Sequence, residues 1–371
     1  MDFEFTEDQQ SLRDAVGKWV EKAYDFERMR KSVKDGGFDR ATYGELAELG
    51  LTGLYVSDDH GGMGMGPVEA MVTMEELGKG IVLEPIAQAL IAGGVISGYA
   101  PEDVKSQWLP KIASGEALVV LAYQERGSRY QFDVCEATAK KGADGYQVTG
   151  LKSVVPAGDM ADALLVPAQL QGKMALFLVE RSASGVEAKG YGTQDGSRAA
   201  EVAFNNSPAT LITEDGLTAL EHAVDIGIAA VCAEAVGTME KFVALTVDYM
   251  NQRKQFGVVI STFQALRHRM ADVKMQLELA RSMSYYASLK LNAPANERRS
   301  AMARAKYQIG NSMRYVGQQC VQLHGGIGVT DEYVGSHYFK KLTQLEMTFG
   351  DTGHHLGQVS DRMQESAGVF A

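Results

Sequence analysis

Two stretches in the C-terminal third of this 371-residue chain carry residue types that can hold a phosphorylated ligand. Arg253, in Arg253-Lys254-Gln255-Phe256-Gly257, offers a rigid fork of guanidinium donors that matches the oxygens of a pyrophosphate. Gly325 and Gly326, in Gln322-Leu323-His324-Gly325-Gly326-Ile327-Gly328, remove two successive side chains, so backbone N–H groups can approach a charged ligand closely. Taken alone, Arg253 reads better as a solvated charge at a helix end and Phe256 as core. The second glycine motif shifts the reading of both towards ligand contact.

A third group is Asp351 with His354 and His355. An aspartate can serve as a general base, and Asp with His can ligate a metal. Adjacent histidines leave a helix on different sides, however, and no further ligands accompany them, so a metal site is not expected. The glycine-dense run from Asp58 to Gly66 reads as a flexible turn between helices.

These groups must be positioned by three differently textured segments. From Thr6 to about Gly115 the pattern is helical, opening on a capping-box-like Thr6-Glu7-Asp8-Gln9 with Leu12, Val16, Trp19 and Val20 at helix spacing. From Leu118 to about Leu211 short runs such as Tyr146–Thr149, Leu164–Val166 and Ala175–Val179 alternate with Gly, Asp and Pro, the signature of a compact β domain. After Glu214 long helices return over 222–250, 262–291 and 298–324, with Asn292–Asn296 as a break. The expected organisation is a helical domain over 1–117, a β domain over 118–213 and a helical bundle over 214–371. The fold class is therefore α+β and mainly α.

Composition narrows the function. A formal charge of −11 argues against nucleic-acid binding, which needs a clustered excess of Lys and Arg. No stretch approaches the ~20 apolar residues of a membrane span. Asp2 and Glu4 stand where a secretory signal would be basic, and Cys135, Cys232 and Cys320 lack paired spacing. A cytoplasmic location is expected.

The segment Tyr249 to Asp272, with Arg253, Gln255-Phe256-Gly257, Ile260, Phe263-Gln264, His268 and Ala271-Asp272, resembles the signature of acyl-CoA dehydrogenases. The turn Gln322 to Glu332 is similar to the family's glycine turn before its last helices. Leu49-Gly50-Leu51, Gly61–Gly64, Glu75–Gly78 and Trp108–Glu116 match in register, so the resemblance spans nearly the whole chain. It implies an N-terminal helical domain, a middle β domain and a C-terminal four-helix bundle, in tetramers of flavoprotein subunits. It further implies FAD as cofactor, an acyl-CoA substrate and an electron-transfer flavoprotein as acceptor. By that resemblance Arg253, Gln255, Phe256, Gln264, Gln322, Gly325 and Gly326 would contact FAD across an interface, in a neighbouring subunit.

The chain departs from the family where the chemistry is done. The family's base, the Glu of a Tyr-Glu-Gly-Thr segment, is replaced by Gly350 in Phe349-Gly350-Asp351-Thr352. The alternative base position falls near Gly227. Asp351 and Asp225 are nearby acids, each shorter and displaced, and Asp351 is the candidate base if this chain supplies one. In the β domain Gln124–Arg129 and Lys152–Pro156 replace the segments that hold the flavin ring. Pro156 has no N–H to donate and Val154 replaces a stacking indole.

The half-site a subunit keeps for itself is thus lost, and the half it lends is kept. That pattern leads us to expect a heteromer in which a homologous, Glu-bearing partner performs the chemistry, with two FAD in an α2β2 assembly. Gly158–Asp162, Tyr191–Glu201 and Phe349–Leu356 resemble the small subunit of pimeloyl-CoA dehydrogenase and related heteromeric dehydrogenases of steroid degradation. Bulky or dicarboxylic acyl chains are the expected substrates. Two alternatives stay open: a homomeric dehydrogenase or oxidase-like flavoenzyme using Asp351, and a non-catalytic structural subunit without flavin contacts.

Overall fold

The computed structural model describes residues 5–142 and 145–366. The first six helices are α1 (Glu7–Ala23), α2 (Phe26–Lys34), α3 (Arg40–Glu48), α4 (Pro67–Gly80), α5 (Ile86–Tyr99) and α6 (Glu102–Ala113). The capping box read at Thr6 is present: Thr6 Oγ1 accepts from the Gln9 N–H at 3.2 Å, and Gln9 Oε1 accepts from the Thr6 N–H at 3.0 Å. Two donors that the first turn cannot satisfy are thereby paired. Leu12, Val16 and Val20 are buried at four-residue spacing, so one stripe of α1 faces the core.

Seven strands come next: β1 (Val119–Leu121), β2 (Thr138–Gly142), β3 (Gly145–Pro156), β4 (Ala163–Leu170), β5 (Lys173–Glu180), β6 (Val186–Gly192) and β7 (Arg198–Thr213). The pairings β4–β2–β3–β7–β5 return to β4 and close a ring, with β1 on β4 and β6 on β7. Closure leaves the ring strands without a free edge. Buried Leu164, Leu165, Val166, Leu176, Phe177, Leu178 and Val179 supply its core from β4 and β5.

The remaining helices are α7 (Gly216–Gln252), α8 (Gln264–Lys290), α9 (Ala295–His324), α10 (Val334–Met347) and α11 (Thr352–Ser366), with a small hairpin of β8 (Lys254–Gln255) and β9 (Val258–Val259). Two compact units result, one from residues 5–29, 71–82 and 228–366, the other from 30–70 and 83–227. Helices, then a sheet, then helices follow one another along the chain, the α+β and mainly α class expected from the sequence. Among the described residues no helix is long and apolar enough to cross a membrane.

Within the first unit α4 and α7 cross at glycine. A Cβ on Gly78 would run into the Glu234 carbonyl, and one on Gly237 into the Glu75 carbonyl. Thr238 Oγ1 donates to the Gly78 carbonyl at 3.2 Å across the same crossing. Beside it, Arg13 of α1 holds Glu76 at 2.9 Å, and Arg281 of α8 lies 3.5 Å from both Glu75 and Glu240. Burial pushes the Glu75 carboxyl up to about 7, against the pull of Arg281 and Arg13.

Gly237→Ala sets two effects against each other. Helix propensity favours alanine by about 1 kcal/mol. The obstacle is backbone and cannot swing aside, so overpacking costs about 1–3 kcal/mol or more. A net loss of about 2 kcal/mol is expected, read as a lower urea midpoint with an unchanged slope.

Candidate functional site

Arg253, Gln255 and Phe256 sit on the β8–β9 hairpin. The Arg253 N–H donates to the Tyr249 carbonyl at 2.8 Å, and the Arg253 carbonyl accepts from the Ile260 N–H at 2.9 Å, which pins both hairpin stems to the end of α7. Gln255 pairs with Val258, so the loop is only Phe256-Gly257. Both loop residues have positive φ, +54° and +84°, as a type I′ turn requires. Asn or Gly fill that first position without strain, whereas an aromatic residue there costs about 1–3 kcal/mol. The strain presents Phe256 to solvent: it is 93% exposed, with its ring edge-on to Phe263 at 6.2 Å.

The glycine turn is brought to the same end of the bundle. Met250 of α7, Ile260 after the hairpin and Leu323 of α9 form a buried cluster, and Tyr249, Leu266 and Met270 pack on it. This cluster joins the end of α7, the start of α8 and the end of α9. It gathers Arg253, Gln255, Phe256, Gln264, Gln322, Gly325 and Gly326, all of them exposed. Gly325 takes φ +66°, and a side chain at Gly325 or Gly326 would meet open space. The glycines therefore serve conformation and close approach, not packing.

His324, which sequence reasoning did not single out, fixes where that turn begins. Its Nδ1 donates to the Cys320 carbonyl at 2.8 Å, and its ring lies 4.6 Å from Tyr249, 5.1 Å from Tyr333 and 5.9 Å from Phe242. Nε2 is buried with no hydrogen-bond partner among the described residues, and burial lowers the imidazole's pKa. A neutral ring in an aromatic surround anchors the end of α9.

Asp351 and Gly350 lie elsewhere. Lys306 Nζ donates to the carbonyls of Leu345, Glu346 and Gly350 at 3.0, 2.7 and 3.0 Å. Lys306 and Gln322 are both on α9, sixteen residues apart, which is on the order of 24 Å along the axis. Burial pulls the Lys306 ammonium down to about 8. Phe349 and Gly350 take φ of +57° and +109° to make the turn. A Cβ at Gly350 would stand 2.7 Å from both His354 Cδ2 and His355 Nε2. A side chain at position 350 would therefore be strained in conformation and crowded by two imidazoles. Asp351 is placed at the start of α11, where its Oδ1 accepts from the His354 N–H at 2.8 Å, the role of an N-cap. Asp225, the other acid considered, is buried on α7.

In the sheet-bearing unit the expected flavin-ring segments are occupied by their own bonds. Lys152, fully buried, sits 2.6 Å from Glu125 Oε1. Glu125 also accepts from the N–H groups of Glu136 and Ala137 at 2.6 and 3.1 Å. Burial alone would raise the Glu125 carboxyl, but Lys152 and these donors hold it below the usual range. The strand bulges between Lys152 and Val155, and Val154 takes φ +51° with its side chain 43% exposed.

Two models of the acyl-CoA dehydrogenase family match, the N-terminal domain over residues 6–116 and the C-terminal domain over 214–364. A bovine relative, the mitochondrial short/branched chain specific acyl-CoA dehydrogenase, is 26% identical over 353 residues, covering 91% of this chain and 81% of its own. The solved steroid ACAD variant Tcur3481-Tcur3483 is 26% identical, with a TM-score of 0.90 over 98% of this chain and 99% of its own. The ChsE4-ChsE5 complex from Mycobacterium tuberculosis aligns with a TM-score of 0.90 at 24% identity, covering 98% and 99%, and shares the fold. The chain belongs to the acyl-CoA dehydrogenase family, oxidoreductases acting on the CH–CH bond of an acyl-CoA.

The buried histidine beside Gly350 sets an acid limit. His355 Nε2 donates to the Phe349 carbonyl at 3.0 Å, and burial, with Lys306 and His354 near it, lowers its pKa from 6.5 to about 2. Below pH 6.5 the unfolded chain binds a proton that the folded chain refuses, so stability present above that pH is lost on acidification. The slope is about 1.4 kcal/mol per pH unit well inside the window. Urea titrations at stepped pH should show His355→Gln with a shallower acid slope than the parent; equal slopes would place the titration elsewhere.

Proposed function

We propose that this chain is the base-less subunit of a heteromeric FAD-dependent acyl-CoA dehydrogenase, and that it lends Arg253, Gln255, Phe256, Gln264, Gln322, Gly325 and Gly326 to the flavin bound by a Glu-bearing homologous partner. The observation that carries the reading is the contrast within one unit. Beside the middle of α9, position 350 is strained and crowded for a side chain and the nearby acid caps a helix. At the C-terminal end of α9 an exposed guanidinium, a strained exposed phenyl ring and an open glycine turn are gathered. Strain of about 1–3 kcal/mol at Phe256 is maintained only if presenting that ring serves a contact.

FAD, held in part by these residues, would supply the hydride-accepting chemistry for the β hydrogen of the acyl-CoA. The α proton requires a carboxylate within hydrogen-bond reach of the α carbon, which the partner supplies. The residues of this chain bind and orient: Arg253 engages the pyrophosphate through paired donors, and the Gly325–Gly326 backbone approaches it closely. Val154 and Pro156 offer neither a stacking plane nor an N–H to a flavin ring, so this chain retains no complete site. The likeness to a steroid ACAD supports a bulky, steroid-derived acyl chain, with a dicarboxylic chain as the other expected class. The electron acceptor is an electron-transfer flavoprotein, and the assembly is α2β2 with two FAD.

Purified alone, the chain should be colourless. Co-expressed with a Glu-bearing homologue, it should form a yellow complex with about one FAD per heterodimer by absorbance and native mass. A yellow homotetramer reduced by acyl-CoA would sink the model. In the complex, Arg253→Ala should cost about 1.5–3 kcal/mol of FAD binding, roughly a ten- to hundred-fold rise in Kd. Unchanged FAD affinity would point instead to a purely structural subunit.

A further inference from the structure

The sheet-bearing unit places a thiol, an amine and a carboxylate together. Lys152 Nζ lies 3.7 Å from Cys135 Sγ, and Glu125 Oε1 lies 2.6 Å from the same Nζ and 3.6 Å from the same Sγ. Lys152 has no exposed surface, and its neighbours are fixed on adjoining backbone, Cys135 just before β2 and Lys152 within β3. Cys135 is partly exposed, whereas Cys232 and Cys320 are buried. A small oxidant therefore has better access to Cys135, whose sulfur has an amine beside it, than to the two buried cysteines.

We propose that Cys135 and Lys152 form a peroxide-driven covalent cross-link, a sulfenamide, with Glu125 as the group that moves the lysine proton. In the first step the sulfur attacks hydrogen peroxide: an S–O bond forms, the O–O bond breaks and one water leaves. The sulfur loses two electrons to the peroxide and becomes a sulfenic acid. In the second step Glu125 accepts a proton from the Lys152 ammonium, and the freed nitrogen attacks the sulfur. An S–N bond forms, the S–O bond breaks, and the hydroxyl departs as a second water carrying that proton, while Glu125 takes and keeps the second proton of the attacking nitrogen, leaving a neutral S–NH link beside a neutral carboxyl. No further oxidant is used, and the product is the original pair less two hydrogens.

The geometry favours this outcome over deeper oxidation. A sulfenic acid goes on to sulfinic acid only if a second peroxide arrives before a nucleophile, and here the nucleophile is already within van der Waals reach of the sulfur. Effective concentrations of held groups far exceed those of a dissolved oxidant. Burial also raises the Cys135 thiol above its ordinary pKa, so the first step is the slow one and quickens as the pH rises. The link converts a buried ion pair into a neutral bridge across the start of β2 and the bulge of β3. A thiol reductant reverses it.

The test is peptide mapping of the full chain after graded hydrogen peroxide, digested with trypsin without reductant. The expected product has lost two hydrogens, carries the Cys135 peptide joined to the Lys152 peptide, resists cleavage after Lys152, and reverts with dithiothreitol. Cys135→Ser should abolish it. Lys152→Arg should leave a sulfenic acid that dimedone traps. Wild-type protein whose Cys135 is unmodified, or oxidised to sulfinic acid while trypsin still cuts after Lys152, would overturn the proposal and leave the three groups as a structural ion pair.

Discussion

Lys306 is an ammonium held in the interior of the helical unit by three carbonyl oxygens, those of Leu345, Glu346 and Gly350. Removing such a group from water costs several kcal/mol unless every donor is satisfied, and its three N–H bonds are all used. The bonds determine the shape of the segment between α10 and α11. They draw the chain into a tight turn whose residues Phe349 and Gly350 must take positive φ. The turn in turn packs His355 beneath it and sets Asp351 at the head of α11, while Glu346 Oε1 accepts from the Thr352 N–H and hydroxyl at 2.9 and 2.6 Å. With the backbone tied down from inside, a glutamate at position 350 would be strained in conformation and crowded by two imidazoles.

The same helix that carries Lys306 carries Gln322 at its far end, so α9 separates two functions by its length. A flavin dehydrogenase needs a base near the reacting carbons and phosphate-binding groups near the distal part of its cofactor. Groups on the order of 24 Å apart on one rigid helix answer to different sites. A change near Lys306 can therefore leave the Arg253 hairpin untouched. The hydrophobic cluster of Met250, Ile260 and Leu323 makes the second end self-sufficient, because it fixes hairpin and glycine turn together.

The sequence carried the local and periodic features well. Thr6 and Gln9 announced a capping box through spacing alone, and β3, β4 and β5 contain the runs read as strands. The two motifs stood out because glycines and a Gln-Phe-Gly triplet at fixed spacing form a family pattern, and the structure brings them to one end of the bundle. Lys306 and Lys152 were not legible: a lysine in a helix or strand ordinarily reads as solvated, and only partners forty-four and twenty-seven residues away in sequence make these two buried. Phe256 hid its strain for a similar reason, since nothing in a phenylalanine signals positive φ. Asp351 could have been read differently, because an aspartate immediately before a new helix is a cap as readily as a base.

The altered β-domain segments are not a collapsed remnant of a binding loop. Glu125 makes four polar contacts of its own, with Lys152, Cys135 and the N–H groups of Glu136 and Ala137. Breaking a buried pair of this kind by removing one partner costs about 3–5 kcal/mol, so Lys152 and Glu125 hold these segments together as a unit. A carboxylate satisfied this way is unavailable to a ligand, and the strand it anchors ends in a proline that cannot donate. The Glu125–Lys152 pair ties the segment before β2 to β3 from inside the sheet-bearing unit, so the conformation of this loop is held by the chain's own bonds.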